Sequence, residues 1–499
     1  MDDESLKKSS FPSRNLAVIA FVVSIGGAFN FGYQLLITNP AQDAFLSFTN
    51  ASLTKQNIHV SANELGDIWG IIVSSFFWGA TIGSFLIQFL SEKLGRIRGL
   101  IFSLVIQCIA CALTILSYFM TSHIVYTISR IILGGAISVS LGIAPIFITE
   151  CSPSACRGVV SLITGIMIQV ALVFGATIAM PQILGTSDTW WMLYLIQLVL
   201  TLNVIVYCLF IEDSPSYLLS IGKSEKAKKS LIYYHDITEE DAEILLIDMD
   251  EANVKQEVLG LFSIFKDKMS VKGCLLGSLC LVATTYSGIA AINSFAFEIL
   301  VSVGLSSLEA SIGNIIICLV TVFGNISASF LIDKQGRRPL LLIIFGLLAV
   351  NNIIISGLMY GFDRSQNVWM GWGVVAAIAF FSFIICIGPA PISFFITGEL
   401  VSQKARGAAC TWANVIFYGT RSILLSVYYP IKVGLGGPLA YFVLFCPSCI
   451  LTTVILYYYL PETKGKTPEQ AYDDANNSLL LCGTKNSNEK LLNDDKVES

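Results

Sequence analysis

The stretch Glu92-Lys93-Leu94-Gly95-Arg96 returns 241 residues later as Asp333-Lys334-Gln335-Gly336-Arg337. Each copy follows an apolar run long enough to cross a bilayer, which takes about 20 residues. Two further pairs keep nearly the same spacing. Glu150, with Arg157-Gly158 seven residues on, is repeated 249 residues later as Glu399 with Arg406-Gly407; Asp213 is repeated as Glu462, again 249 residues on. Matched charges at a near-constant offset indicate two similar halves that face the same way.

Working outward from these anchors, apolar runs at 16–37, 68–90, 99–120, 124–149, 158–181 and 190–211 predict six spans. A charged stretch separates them from six more at 273–300, 311–332, 339–361, 370–397, 408–430 and 438–460. The expected fold is an all-α membrane protein with twelve transmembrane helices in two six-helix pseudo-repeats. Composition agrees: of 499 residues, 54% are hydrophobic and 13% charged, against about 25% charged in soluble domains. The net charge of −5 offers nothing to nucleic acid. Most of the thirteen cysteines lie inside apolar runs and read as small core hydrophobes. The spacings Cys108–Cys111 and Cys446–Cys449 lack a second pair or nearby histidines, so neither a metal site nor a cofactor is expected.

Short cytoplasmic loops retain Lys and Arg. One side carries Lys7, Lys8, Arg14, Lys93, Arg96, Arg98, Arg157, Lys334, Arg337, Arg338, Lys404, Arg406 and the lysines of 212–272 and the tail; the other carries Lys55, Arg364 and Lys432. Both termini are therefore expected in the cytoplasm of an integral, plasma-membrane protein. The expected organisation is a cytoplasmic N-terminus (1–15), a first bundle (16–211), a cytoplasmic linker (212–272), a second bundle (273–460) and a cytoplasmic tail (461–499). The first apolar run has no cleavage-site pattern before it and reads as a retained helix. The long outer loop 38–67 contains the sequon Asn50-Ala51-Ser52, a predicted glycosylation site.

The repeated charges have a mechanical reading. A carboxylate ending one helix can pair with an arginine starting another, holding the halves together while an inner gate is shut. Each surface pair contributes about 0.2–1 kcal/mol, so several make a reversible latch. The expected cytoplasmic gate comprises Glu92, Arg96, Glu150, Arg157, Asp213, Asp333, Arg337, Glu399, Arg406 and Glu462. The alternative is that these charges serve topology and lipid headgroups alone.

At these residues the chain resembles the sugar porter (facilitative glucose transporter) family of the major facilitator superfamily, over roughly residues 15–470. The matching stretches are Gly95-Arg96, Pro145-Ile146-Phe147-Ile148-Thr149-Glu150 through Arg157-Gly158, Gly336-Arg337-Arg338, Thr397-Gly398-Glu399-Leu400-Val401-Ser402-Gln403 and Pro461-Glu462-Thr463-Lys464-Gly465. Asp213-Ser214-Pro215 matches the family signature in part, with Glu212 replacing its proline and Ser216 its arginine. The resemblance implies a major facilitator fold and facilitative (uniport) carriage of a small solute, sugar or sugar-like, by alternating access. It also implies a monomer acting in a lipid bilayer, without a nucleic-acid partner.

The family's substrate residues are largely replaced. Its seventh helix carries two glutamines and an asparagine where this chain has Thr284, Thr285 and Ala290. Gly165 stands for the fifth-helix glutamine, Thr321 for the eighth-helix asparagine, Cys386 and Phe394 for a glutamate and a tryptophan, and Phe417 for the eleventh-helix asparagine. Hexose recognition needs groups that both donate and accept toward several hydroxyls, so glucose is expected to bind poorly. Gln169, Asn293, Asn325 and Asn414 each share a helix face with a lost residue. They either replace it or bond helix to helix. The candidate solute contacts are Gln34, Gln169, Thr284, Thr285, Asn293, Thr321, Phe394 and Asn414.

Proton-coupled relatives carry an aspartate where Gln34 follows Gly32-Tyr33, and no acidic residue falls at mid-membrane depth. Arg130 matches a family arginine and reads as structural. Arg421, in the outer half of the eleventh helix, is expected to snorkel to headgroups, the alternative being contact with an anionic solute. Gly388-Pro389-Ala390-Pro391 should interrupt the tenth helix, and Gly288 should let the seventh bend. No enzyme is expected: Gly465-Lys466-Thr467 lacks the upstream glycine of a phosphate loop, that position being Leu460. The rival readings are a carrier of a non-hexose or anionic solute, and a non-transporting sensor.

Overall fold

In the computed structural model, residues 12–153, 156–253, 259–466 and 470 are described, without the side chains of 250–253, Ser329 and Asp333. Every regular element among them is helical. Spans one to six are Arg14–Leu36, Ala62–Lys93, Arg96–Met120, His123–Cys151, Arg157–Ile178 and Trp191–Cys208. Spans seven to ten are Lys268–Ser302, Ser307–Gln335, Arg337–Ser365 and Val368–Leu400, and spans eleven and twelve are Arg406–Leu435 and Gly437–Tyr459. Eleven of them pass as bilayer-crossing on length and apolarity alone; Arg406–Leu435 is interrupted by Arg421 and Lys432. Large apolar side chains such as Ile82, Phe102, Phe119, Phe323 and Phe330 stay exposed along the outer flanks. Hydrocarbon covers such a surface and water does not.

The repeat continues in the local structure. Spans two and eight both open with a capping box, Ser61 with Glu64 and Ser306 with Glu309. Spans one and seven both widen into a π turn, at Ile25–Phe29 and Thr285–Ile289. In span seven the turn contains Gly288 at φ 116°, a conformation that a side chain disfavours. The carbonyl of Ser287, freed by that break, accepts from Asn352 Nδ2 at 2.8 Å, and Tyr441 Oη donates to Asn352 Oδ1 at 3.2 Å. A broken backbone inside a membrane persists where neighbouring side chains re-satisfy it. Span ten breaks at Gly388, before Pro389.

Within the first half, glycines bring backbones together. Gly79 and Gly83 of span two face Ile131 and Gly135 of span four, and Gly134 faces Phe76. The halves meet where span two packs on span eleven, span five on span eight and span one on span seven.

The stretch expected as an outer loop contains a helix, Gln42–Lys55. Phe45 and Phe48 seat it on Trp69, Tyr126 and Trp190, and Asn50 stays exposed on its far side. The linker is also structured, with helices Pro215–Ser220, Ser224–His235 and Glu239–Asn253.

Candidate transport site and gates

The face that carries most Lys and Arg, here the basic face, holds two copies of one device. In the first half, Arg96 begins span three and Glu150 ends span four. Arg96 Nε and Nη2 donate to Glu150 Oε2 and Oε1 at 2.9 and 2.7 Å, while Ser214 Oγ donates to Glu150 Oε2. Asp213 Oδ1 accepts from the backbone N–H of Arg96 and Ile97 at 3.1 and 3.2 Å. In the second half, Arg337 Nη2 donates to Glu399 Oε1 at 3.1 Å and Thr463 Oγ1 to Glu399 Oε2. Glu462 Oε1 and Oε2 accept from the N–H of Arg337 and Arg338 at 3.0 and 3.1 Å.

Each carboxylate following the sixth helix of a half thus caps the exposed N–H groups, and the positive dipole end, of that half's third helix. Glycine at Gly95 and Gly336 is a geometric requirement. Both sit at positive φ, 94° and 89°, and an added Cβ would lie 2.4 Å from Asp213 Oδ2 or 2.9 Å from Glu462 Oε2. Ser214 and Thr463 were not singled out by sequence, although each follows a repeated acid at the same offset of 249 residues.

The bonds just described close each cluster within its own half, whereas the latch expected from the sequence pairs charges across the halves while the inner gate is shut. Two arginines of the expected gate stand apart: Arg157 Nη2 reaches the Ser152 carbonyl at 3.5 Å and Arg406 Nε the Gly398 carbonyl at 3.0 Å. Glu92 accepts from Gln88 on its own helix and is exposed. The side chain of Asp333 lies outside the described residues.

The pKa values of the paired acids shift in opposite directions. Burial raises Asp213, and the N–H groups of Ser214, Ile97 and Arg96 and the Arg96 charge only partly offset this. Burial also acts to raise Glu462, but the N–H groups of Lys464, Arg337, Arg338 and Thr463 outweigh it and leave its pKa lowered. A lowered carboxylate stabilises the fold above its unfolded pKa, and that contribution is lost as pH falls through the folded value. A raised one contributes below its unfolded pKa and is lost as pH rises through the folded value. Glu462→Gln should therefore lower the melting temperature of the purified protein at pH 7 more than Asp213→Asn does. The Glu462→Gln deficit should shrink as the pH drops below the ordinary glutamate range. Equal deficits at both pH values would contradict the assignment.

The opposite face is sealed by bonds between the halves. Asn39, just past span one, donates through Nδ2 to the carbonyls of Ile292 and Asn293 at 3.4 and 3.0 Å. Its Oδ1 accepts from the Phe297 N–H at 2.8 Å. Beside it, Gln42 Nε2 donates to Glu298 Oε2 and Tyr429 Oη at 2.8 and 2.7 Å, and Glu298 also takes Lys432 and Tyr429. Ser426 Oγ of span eleven donates to Ser74 Oγ of span two at 2.7 Å.

Between these faces lie the expected solute contacts. Gln34 is turned into the first half, where its Nε2 donates to Gln197 Oε1 at 2.6 Å. Thr285 bonds its own helix, and Thr284 shares a 2.9 Å bond with Ser393. Thr321 donates back to Cys318. Gln169 is buried, and its Oε1 has no hydrogen-bond partner among the described residues. Asn293 and Asn414 are half-buried. Phe394 packs its ring on Phe417 at 5.3 Å. Asn325 of span eight faces Gly165 of span five across the halves, 3.9 Å from where a Cβ would be. Its amide therefore lies opposite the position vacated by the expected glutamine.

The two buried arginines differ sharply. Arg130 is satisfied inside the first half by the Ile72 and Val73 carbonyls and by Tyr194 Oη, at 3.2, 3.5 and 3.3 Å. Arg421 does not snorkel. It lies midway along span eleven and 3% exposed, with its guanidinium 4.6 Å from the ring centroid of Phe77 in span two.

Comparison with known proteins matches residues 19–474 to the model of the family described as "Sugar (and other) transporter". Facilitated glucose transporter member 2 of Gallus gallus is 30% identical over 424 residues, covering 82% of this chain and 76% of its own. Member 5 of Equus caballus is 26% identical over 473 residues, covering 93% and 92%. An inward-open structure of the xylose transporter XylE from E. coli superposes with a TM-score of 0.76 at 17% identity, covering 92% of this chain and 99% of that one.

Proposed function

The chain belongs to the sugar (and other) transporter family, whose members are carriers and not enzymes, and on that premise we propose a facilitative carrier of a small solute, sugar or sugar-like, working by alternating access. The observation that carries this reading is the asymmetry of the two faces. Hydrogen bonds between the halves close one face, while the charged clusters of the other pair within each half and leave Arg157 and Arg406 exposed. Two bundles each stiffened at the basic end can rock as bodies about the span-two to span-eleven and span-five to span-eight seams. The breaks at Gly288 and Gly388 supply local bending.

The topology proposed puts the basic face and both termini in the cytoplasm. The exposed Asn50 then faces outward as a glycosylation site, in the plasma membrane. Uniport follows from the placement of acids: those within the described spans lie near helix ends, and Glu298 is committed to Lys432, Tyr429 and Gln42.

The test is uptake by purified protein in liposomes, screened over hexoses, polyols, urate and vitamin C. Saturable uptake that stops at the outside concentration and ignores a protonophore is expected. Accumulation abolished by the protonophore would overturn uniport; a folded protein that moves no solute would be a sensor.

A further inference from the structure

We infer that Arg421 is the anion-binding residue of the translocation pathway, and that the solute is an organic monocarboxylate, or an equally planar oxyanion, bearing few hydroxyl groups. The inference rests on the carrier reading above and, within it, takes the non-hexose, anionic solute in place of the sugar-like one.

Arg421 stands 15 residues from the start of Arg406–Leu435 and 14 from its end. Neither headgroup layer is within reach of a side chain so placed. It lies where the two halves meet, against Phe77 of the first. The guanidinium carbon stands over the Phe77 ring. The N–H donors of a guanidinium lie in its own plane, and among the described residues Nε and Nη2 are buried without a hydrogen-bond acceptor. No ion pair among the described residues involves it, and the acid on this flank, Glu298, already holds Lys432 and Tyr429. Arg130, equally buried, shows what a structural arginine here looks like: its donors meet two carbonyls and a phenol. An intramembrane cation kept without a partner is a functional group by default.

The surroundings define the ligand. Tyr418, one turn before Arg421, contacts the rings of Phe31 and Phe417, and Phe417 contacts Phe394. Spans one, two, ten and eleven therefore contribute rings, two of them at positions where the family resemblance expects an amide and a tryptophan. The phenylalanine rings bind planar apolar surface and offer no hydrogen bond to sugar hydroxyls, which leaves the Tyr418 phenol as the polar group among these rings. A guanidinium with in-plane donors free accepts a planar oxyanion in a paired geometry.

The experiment uses the full chain in liposomes with labelled nicotinate and D-glucose as probes. Wild type should take up nicotinate saturably, and Arg421→Gln should raise its KM about ten- to a hundredfold. Purified Arg421→Met should melt higher than wild type, because the change removes an unpaired buried charge and no hydrogen bond. A structural arginine would make it melt lower, and that result would overturn the inference. Glucose uptake equal in wild type and Arg421→Gln, without nicotinate uptake, would leave the carrier reading standing and overturn the anion class. Transport of neither probe by the folded protein would overturn the anion class, while movement of any other solute in the wider screen would still sustain the carrier reading.

Discussion

Gly134→Leu should yield no folded carrier. A Cβ on Gly134 would lie 1.8 Å from the Phe76 carbonyl oxygen, and one on Gly79 would lie 1.9 Å from the Ile131 carbonyl oxygen. Spans two and four therefore touch backbone to backbone in both directions, the close approach that small residues permit between membrane helices. Overpacking costs about 1–3 kcal/mol where neighbouring side chains can yield; here the obstacle is backbone, and relief requires separating two helices. That separation would also disturb the span-two surface that meets span eleven. Gly346→Leu is the control, since nothing lies within 4 Å of a Cβ there. Size-exclusion chromatography in detergent should show a folded monodisperse peak for Gly346→Leu and none for Gly134→Leu. Equal peaks would mean that this seam tolerates separation and that its glycines are incidental.

Asn39→Ala should shift the carrier toward opening on the face opposite the basic one. The substitution removes three hydrogen bonds that tie the end of span one to span seven. At about 0.5–1.5 kcal/mol each, their loss changes the closed-to-open ratio by about tenfold or more. The groups left behind are span-seven backbone atoms, and water can reach them once the face opens. A cysteine at Asn293, whose carbonyl makes the contact and is kept, should then react with an impermeant maleimide about tenfold faster from the sequon-bearing side. An unchanged rate in a folded protein would place the seal in the Glu298, Tyr429 and Lys432 cluster alone.

Recognition of the family and of the helical class came from local features. Apolar run length marks a span whatever its neighbours, and the repeated charges are separated by constant offsets that need no contact to be seen. The breaks in spans seven and ten were likewise announced by Gly288 and Gly388-Pro389, since glycine and proline act on their own backbone. The helix Gln42–Lys55 was missed because its alternation of polar and apolar residues reads as loop until Phe45 and Phe48 have rings to pack against.

The sequence by itself determined which runs are long and apolar enough to span a membrane, that the chain is two similar halves, and which charges recur at the helix ends. Only the tertiary structure decided what those charges touch. Glu150 and Glu399 each found an arginine in their own half because spans three and four of a half end side by side. Arg421 was expected among headgroups and is enclosed, because depth along a helix can be counted in residues but direction around its axis is set by the neighbour it meets. Gln34 turned to Gln197 for the same reason. A membrane helix is apolar on most of its circumference, so periodicity leaves its rotation open, and packing against the neighbouring helices settles it.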